Sequence, residues 1–282
     1  MSHRPQTIAR AGRSRRGVLA QLLLLAGAVL MLLPFAWAAL TALKTPAEAI
    51  AIPMKLLPAK PQWSHFAETF DQLPFARYYW NTAATTIVKT LAALLISSMA
   101  GYAFARVPFP GKSVLFVLVL SVLMVPAQVF LVPQYMLMKD WGWLNSLKAI
   151  TVTGMFSAYG TFLLRQFFLS LPVELEEAAK IDGCRPPGIY WRIMLPLAKP
   201  GLVAFGIISA LWSWNDFMWP LIVNSSPDKM TLAVGLATLQ GQYTTNYPLL
   251  MAGMLLAIAP MILLFLLLQR QFVEGMTLSG LK

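Results

Sequence analysis

At 282 residues, 58% apolar and 12% charged, the chain is too apolar for a soluble domain of its size. Its net charge of +11 raises nucleic acid as a partner, but the bases stand between apolar runs rather than in an aromatic-interleaved patch; orientation in a membrane accounts for them better. A single cysteine excludes an internal disulfide, and His3 and His65, neither with a neighbouring cysteine or histidine, supply no metal site.

In chain order, residues 1–17 read as a basic tail carrying Arg4, Arg10, Arg13, Arg15 and Arg16, and residues 18–282 as one membrane domain. An apolar run from Val18 to about Leu43 is long enough to cross ~30 Å of hydrocarbon at 1.5 Å per residue. Ala36-Trp37-Ala38 offers a cleavage-like site, so a signal peptide is the rival reading, but the length favours a retained anchor. Lys44 to Arg77 is proline-bearing and too polar to span. Five further spans follow at about Tyr79–Ala105, Ser113–Met138, Ser146–Phe168, Gly201–Val223 and Leu249–Leu268. With the N-terminus inside, fourteen bases fall on the inner side and eight elsewhere, which supports both termini being cytoplasmic.

Between the second and third spans, Gly111-Lys112-Ser113 looks like the end of a phosphate-binding loop. That motif needs a glycine five residues earlier, where Arg106 stands, and no strand leads into it. A tight turn is expected instead. The few polar residues make no nucleophile elbow or paired-carboxylate site, so no catalytic residues are assigned.

The polar exception is the stretch from Arg165 to Leu197, with four acids and four bases in 33 residues. Pro172 introduces a helix over Glu174–Ile181 with acids near its N-terminus, and Gly183 is placed to stop it in the left-handed conformation. A second short helix is expected at about Ile189–Met194, ending at Pro196, with Pro186-Pro187 stiffening the linker and leaving its start open. Two short helices joined at a glycine elbow have the form of a docking surface.

In the fifth span Ser209, Ser213, Asp216 and Pro220 recur at helical spacing. This polar side either lines a solute path, with Ser213, Asn215 and Asp216 beside Trp212, Trp214 and Trp219, or combines an aromatic belt with polar contacts between helices. Asp216 and Lys89, in the second span, lie at similar depth. Pairing would ease both charges, but the favoured expectation is that Lys89 snorkels outward while Asp216 meets neutral donors or water. The segment from Asn224 to Tyr247, rich in amides and hydroxyls, reads as a solvated external loop.

Glu177-Ala178-Ala179, Asp182-Gly183, then Ile193, Leu195 and Pro196 resemble the cytoplasmic loop signature of permease subunits of binding-protein-dependent ABC importers. Ala100 to Arg106 before Phe109-Pro110-Gly111, Ser213 to Phe217, and Gln269 to Val273 with Gly275 extend the similarity over nearly the whole chain, toward the maltose-type carbohydrate branch. The resemblance implies an all-α fold of six transmembrane helices, the type I importer permease fold, in a bacterial inner membrane. It also implies a heterodimer with a second permease, two ATPase subunits that hold ATP and Mg and do the hydrolysis, and an external solute-binding protein. Residues of about 169–200 would form the coupling loop. There Ala178 and Ala179 leave room for a groove on the ATPase, and Glu177 or Asp182 accepts hydrogen bonds from the elbow or the partner. Gln240, Gln242 and Tyr243 would meet the binding protein. A self-sufficient secondary transporter or channel is the alternative, against which stand the docking loop and the lack of an evident inverted repeat.

Overall fold

The computed structural model describes residues 15–241 and 245–280, with side chains over 17–241 and 245–270. Most of the basic N-terminal tail, Gln242, Tyr243 and Lys282 lie outside the described residues. Helix α1 (Arg15–Ala42) is followed by the short α2 (Pro46–Ala49) and α3 (Ser64–Gln72), and then by the long α4 (Phe75–Arg106). Next come α5 (Lys112–Ser121), two 3-10 turns, α6 (Leu131–Asp140), α7 (Leu147–Val152) and α8 (Ala158–Ser170). The polar stretch holds α9 (Glu174–Ile181), α10 (Pro186–Ile189), a π-turn (Tyr190–Met194) and α11 (Leu195–Leu197). Helices α12 (Lys199–Trp214), α13 (Met218–Val223), α14 (Leu232–Ala237) and α15 (Tyr247–Gly280) complete it. The only strand-like pairing among the described residues is a single bridge between Gln240 and Thr245.

Three helices are long and apolar enough to cross a membrane unbroken: Gly17–Ala42, Phe75–Arg106 and Tyr247–Arg270. At 1.5 Å per residue the 26-residue α1 stretch spans about 39 Å. The other expected spans are not straight, which corrects the sequence reading. Over Ser113–Met138 the chain turns through 97° between Lys112–Met124 and Ala127–Asp140. Pro126 forces this: its ring drives the preceding residue out of the helical region, and Val125 sits at φ −92°, ψ 126°. Over Ser146–Phe168 two helices form instead of one. The second starts afresh where the Ser157 hydroxyl accepts the Gly160 N–H at 3.0 Å. The fifth span breaks at Asn215–Phe217, between α12 and α13.

Helix α4 is the strut of the bundle, lying against α7, α8, α12 and α14. At one end Ala93, Tyr102, Leu164, Phe167, Phe168 and Phe205 form a buried core that also takes in Ile189, Tyr190 and Met194 of the polar stretch. At the other, Phe75 and Tyr78 pack with Trp214, Leu232, Leu236 and Leu250. The expected solvated loop over Asn224–Tyr247 is thus partly core. Apolar Leu232, Val234 and Leu236 are buried in α14, and Asn81 and Thr82 of α4 bind the backbone leading into it.

The contact between α4 and α8 depends on Gly101, where a Cβ would sit 2.9 Å from the Arg165 backbone nitrogen. Backbone cannot swing aside as a side-chain tip can. Gly101→Ala is therefore expected to cost about 1–3 kcal/mol and lower the apparent melting temperature of the purified protein by roughly 2–10 °C. Fluorescence-detected size exclusion after heating measures this, and an unchanged midpoint would contradict the packing.

Candidate functional site

Among the described residues, the expected site residues fall mainly in two polar clusters, and α4 reaches both. The first is the corner built by α9 to α11. Glu174, Glu176 and Glu177 occupy the first turn of α9, favoured by the positive end of the helix dipole. Gly183, at φ 79°, ends it as expected. Its N–H donates to Lys180 O at 3.0 Å and the Cys184 N–H to Ala179 O at 2.9 Å, the paired bonds of a Schellman stop.

Helical periodicity then sorts the residues of α9. Glu176 and Ala179 face inward and are buried, so Ala179 belongs to the core and not to the outward face expected of it, while Leu175, Glu177, Ala178 and Asp182 are exposed and Ile181 is 87% exposed. The carboxylate turned toward the elbow is therefore Glu176; of the two roles expected for Glu177 and Asp182, elbow or partner, the elbow one is not made, and both are exposed. Its Oε1 lies 3.7 Å from Arg106 Nε, and Lys180 Nζ lies 3.8 Å from its other oxygen. Arg106, the last residue of α4, also donates to Phe168 O, at 3.1 Å from Nε and 2.7 Å from Nη2, and to Leu171 O. One guanidinium thus fastens the end of α8 to α4 by hydrogen bonds and faces the inward carboxylate of α9 as an ion pair, in which Glu176 Oε1 makes no hydrogen bond among the described residues.

The second arm departs from expectation at both ends. It begins at Pro186, whose missing N–H costs nothing in a first turn. It also runs past Met194 to Leu197, because residues 190–194 widen into a π-turn in which the Leu195 N–H reaches Tyr190 O. The wider turn gives the Pro196 ring space that an α-turn would deny it. Ile193 and Leu195 pack half-buried on the core, and Pro196 is exposed.

The second place is where the broken spans meet. Lys89 Nζ of α4 lies 3.0 Å from Asp216 Oδ2, with the lysine side chain 7% and the aspartate 25% exposed. Lys89 does not snorkel outward, then, and Asp216 meets a cation. The lysine stem crosses the backbone between α7 and α8 at Gly154, where a Cβ would sit 2.8 Å from Lys89 Cε. Asp216 stands in the α12–α13 break, pinned on both sides by buried tryptophans. Trp214 Nε1 donates to Ala257 O at 2.9 Å and Trp219 Nε1 to Ala149 O at 3.0 Å.

The pair separates two cavities. One, of about 300 Å³, is lined by Phe156, Ser157, Ser209, Trp212, Ser213 and others; the second, of about 270 Å³, by Gln128, Gln134, Thr153, Trp219 and others. Lys89, Gly154 and Asp216 belong to both. Of the expected path residues, Ser213 and Asp216 line the first cavity and Trp219 edges the second. Trp214 is spent on packing, and the exposed Asn215 folds its amide back to Leu211 O at 2.9 Å. Gln240 is exposed beside its bridge to Thr245.

A family model described as "Binding-protein-dependent transport system inner membrane component" matches residues 8–277. The arabinooligosaccharides transport system permease protein AraQ of Halalkalibacterium halodurans is 42% identical over 211 residues, covering 73% of this chain and 76% of that one. The sulfoquinovosyl glycerol transport system permease protein SmoH of Agrobacterium fabrum is 32% identical over 274 residues, covering 96% and 95%. The crystal structure of a bacterial ABC transporter that imports alginate shares the fold, with a TM-score of 0.80 at 23% identity over 93% of this chain and 98% of that one. Arg106, Glu176 and Gly183 build the elbow of an inner-membrane transport component, and the chain belongs to the binding-protein-dependent transport system inner membrane component family.

Proposed function

We propose that this chain is the transmembrane permease subunit of an ATP-driven importer for a carbohydrate or related solute, paired with a second permease and fed by an external binding protein. Two partner ATPases bind ATP and Mg, and no reaction is catalysed on this chain. The observation that carries the reading is α9: a short helix with Ala178 and Ile181 presented outward and Glu176 clamped behind to Arg106. A helix held that way can enter a partner's groove and pass its displacement to the bundle. The similarity to permeases of sugar-transport systems supports the carbohydrate class.

In this reading both termini and the elbow are cytoplasmic, ATP binding draws the ATPases together, and rigid-body movement of the helices around the Lys89–Asp216 junction switches access. Ser213 and Asp216 face the solute path, and Gln240 with Gln242 and Tyr243 meets the binding protein.

The coupling role is tested at Gly183. A β-branched residue resists φ 79°, so Gly183→Val should open the Schellman stop and re-aim α9. The expected result is that the ATPases still co-purify with the chain, while hydrolysis stimulated by the solute-loaded binding protein falls by roughly tenfold, the factor worth 1.4 kcal/mol. Full stimulation would overturn the role assigned to the elbow.

Cys184, the sole cysteine, tests the orientation. It follows Gly183 and is partly accessible, so a membrane-impermeant maleimide should label inside-out vesicles and leave intact cells unlabelled. Docked ATPases should slow the reaction. Labelling from the outside would reverse the topology and remove the docking surface from ATP.

A further inference from the structure

The cavity on the Ser209 side of the ion pair has unused binding capacity. The Ser213 hydroxyl is buried with no hydrogen-bond partner, and Asp216 gives only Oδ2 to Lys89, leaving Oδ1 without a hydrogen bond among the described residues. Two aromatic faces flank these groups. Trp212 is 56% and Phe156 48% exposed, and Trp212 is braced edge-on by Tyr159 at 5.3 Å between ring centroids. Aromatic surface beside a few fixed polar groups is the composition of a small-molecule site, and about 300 Å³ stands at the low end of such sites, room for one ring rather than an oligomer.

Charge narrows the ligand further. Among the described residues, Lys89 and Asp216 are the only charged ones lining either cavity, and they neutralise each other. An anionic solute would find its one available cation already committed and would leave water for an uncompensated site. A polyhydroxylated ring has no such difficulty: its C–H face covers an aromatic ring while its hydroxyls donate to Asp216 Oδ1 and share hydrogen bonds with Ser213.

We propose that this cavity is a solute-contact subsite within this subunit that accepts one ring of an electrically neutral, polyhydroxylated solute and disfavours anionic ones. The proposal rests on the permease reading and adds to it a direct contact and a charge class.

The test uses the assembled permease–ATPase complex in nanodiscs with Cys184→Ser and a reporter thiol, Ser209→Cys on the cavity wall. Ser157→Cys, on the same wall and outside the aromatic faces, is the second reporter should the first fail to assemble. The thiol is titrated with cationic and anionic ethyl methanethiosulfonates, each rate being referred to that of a free thiol. The corrected rates should agree within about tenfold, and Asp216→Asn, by freeing the lysine charge, should shift the ratio about tenfold toward the anionic reagent. Arabinotriose or maltotriose at millimolar concentration should slow labelling, and trigalacturonate at the same concentration should not. The proposal is overturned by an unreactive thiol, by a ratio that ignores Asp216→Asn, by protection from neither neutral trisaccharide, or by protection from trigalacturonate. Failure of the ATPases to co-purify with the parent chain would instead strike the importer reading itself, so the two failures are told apart.

Discussion

A lysine and an aspartate held 3.0 Å apart inside an apolar bundle are what the rest of this molecule accommodates. Either charge alone among membrane-spanning helices costs about 2.5–3.5 kcal/mol on insertion scales, and a half-broken buried pair is worse than none. Bringing them together takes three departures from regular structure. Helix α12 must stop at Trp214 so that Asp216 leaves the helix, the segment between α7 and α8 must open, and Gly154 must carry no side chain where the lysine passes. Irregular backbone at that depth is tolerated only where protein covers it or a water-filled cavity meets it, and the two cavities beside the pair supply that setting.

Helix α4 joins this junction to the elbow. Lys89 and Arg106 stand 17 positions apart on one unbroken helix, about 25 Å. Arg106 is hydrogen-bonded to the carbonyl end of α8 and paired at longer range with the inward carboxylate of α9, and Lys89 grips the break in the fifth span. A push on α9 therefore meets a rod rather than a hinge at the nearest contact. The breaks between α7 and α8 and between α12 and α13 meet at the ion pair.

The elbow was legible in the sequence because its rules are local. A glycine after a run of helix formers and acids in the first turn depend on neighbours within a few residues, and α9 forms over the expected Glu174–Ile181. The bend at Pro126 rests on an equally local restriction on Val125, but it was not read from the sequence, where Ser113–Met138 stood as a single span. The choice of Glu176 over Glu177 was not legible in that way. Adjacent helix positions differ by about 100°, and which one points inward is set by where Arg106 arrives from α4. The Lys89–Asp216 contact is harder still. Depth follows from counting residues, but facing depends on the rotation of α4 and on where the break after α12 carries Asp216, 127 positions from Lys89, and no local pattern encodes it. The polar composition of Asn224–Tyr247 concealed Leu232, Val234 and Leu236, whose every-second-residue spacing does not advertise a helix.

Whether Lys89 and Asp216 stabilise the bundle as a pair is measured directly by a double-mutant cycle. Lys89→Met and Asp216→Asn, singly and together, are compared by the apparent melting temperature of the assembled complex, converted to free energy. Because a quarter of the aspartate is exposed, each single substitution should cost about 2–3 kcal/mol, at or below the low end for a broken buried pair. The double variant should cost less than the sum of the two by at least about 1 kcal/mol. Strict additivity would contradict the pair, and with it the physical cause of the breaks in the fourth and fifth spans.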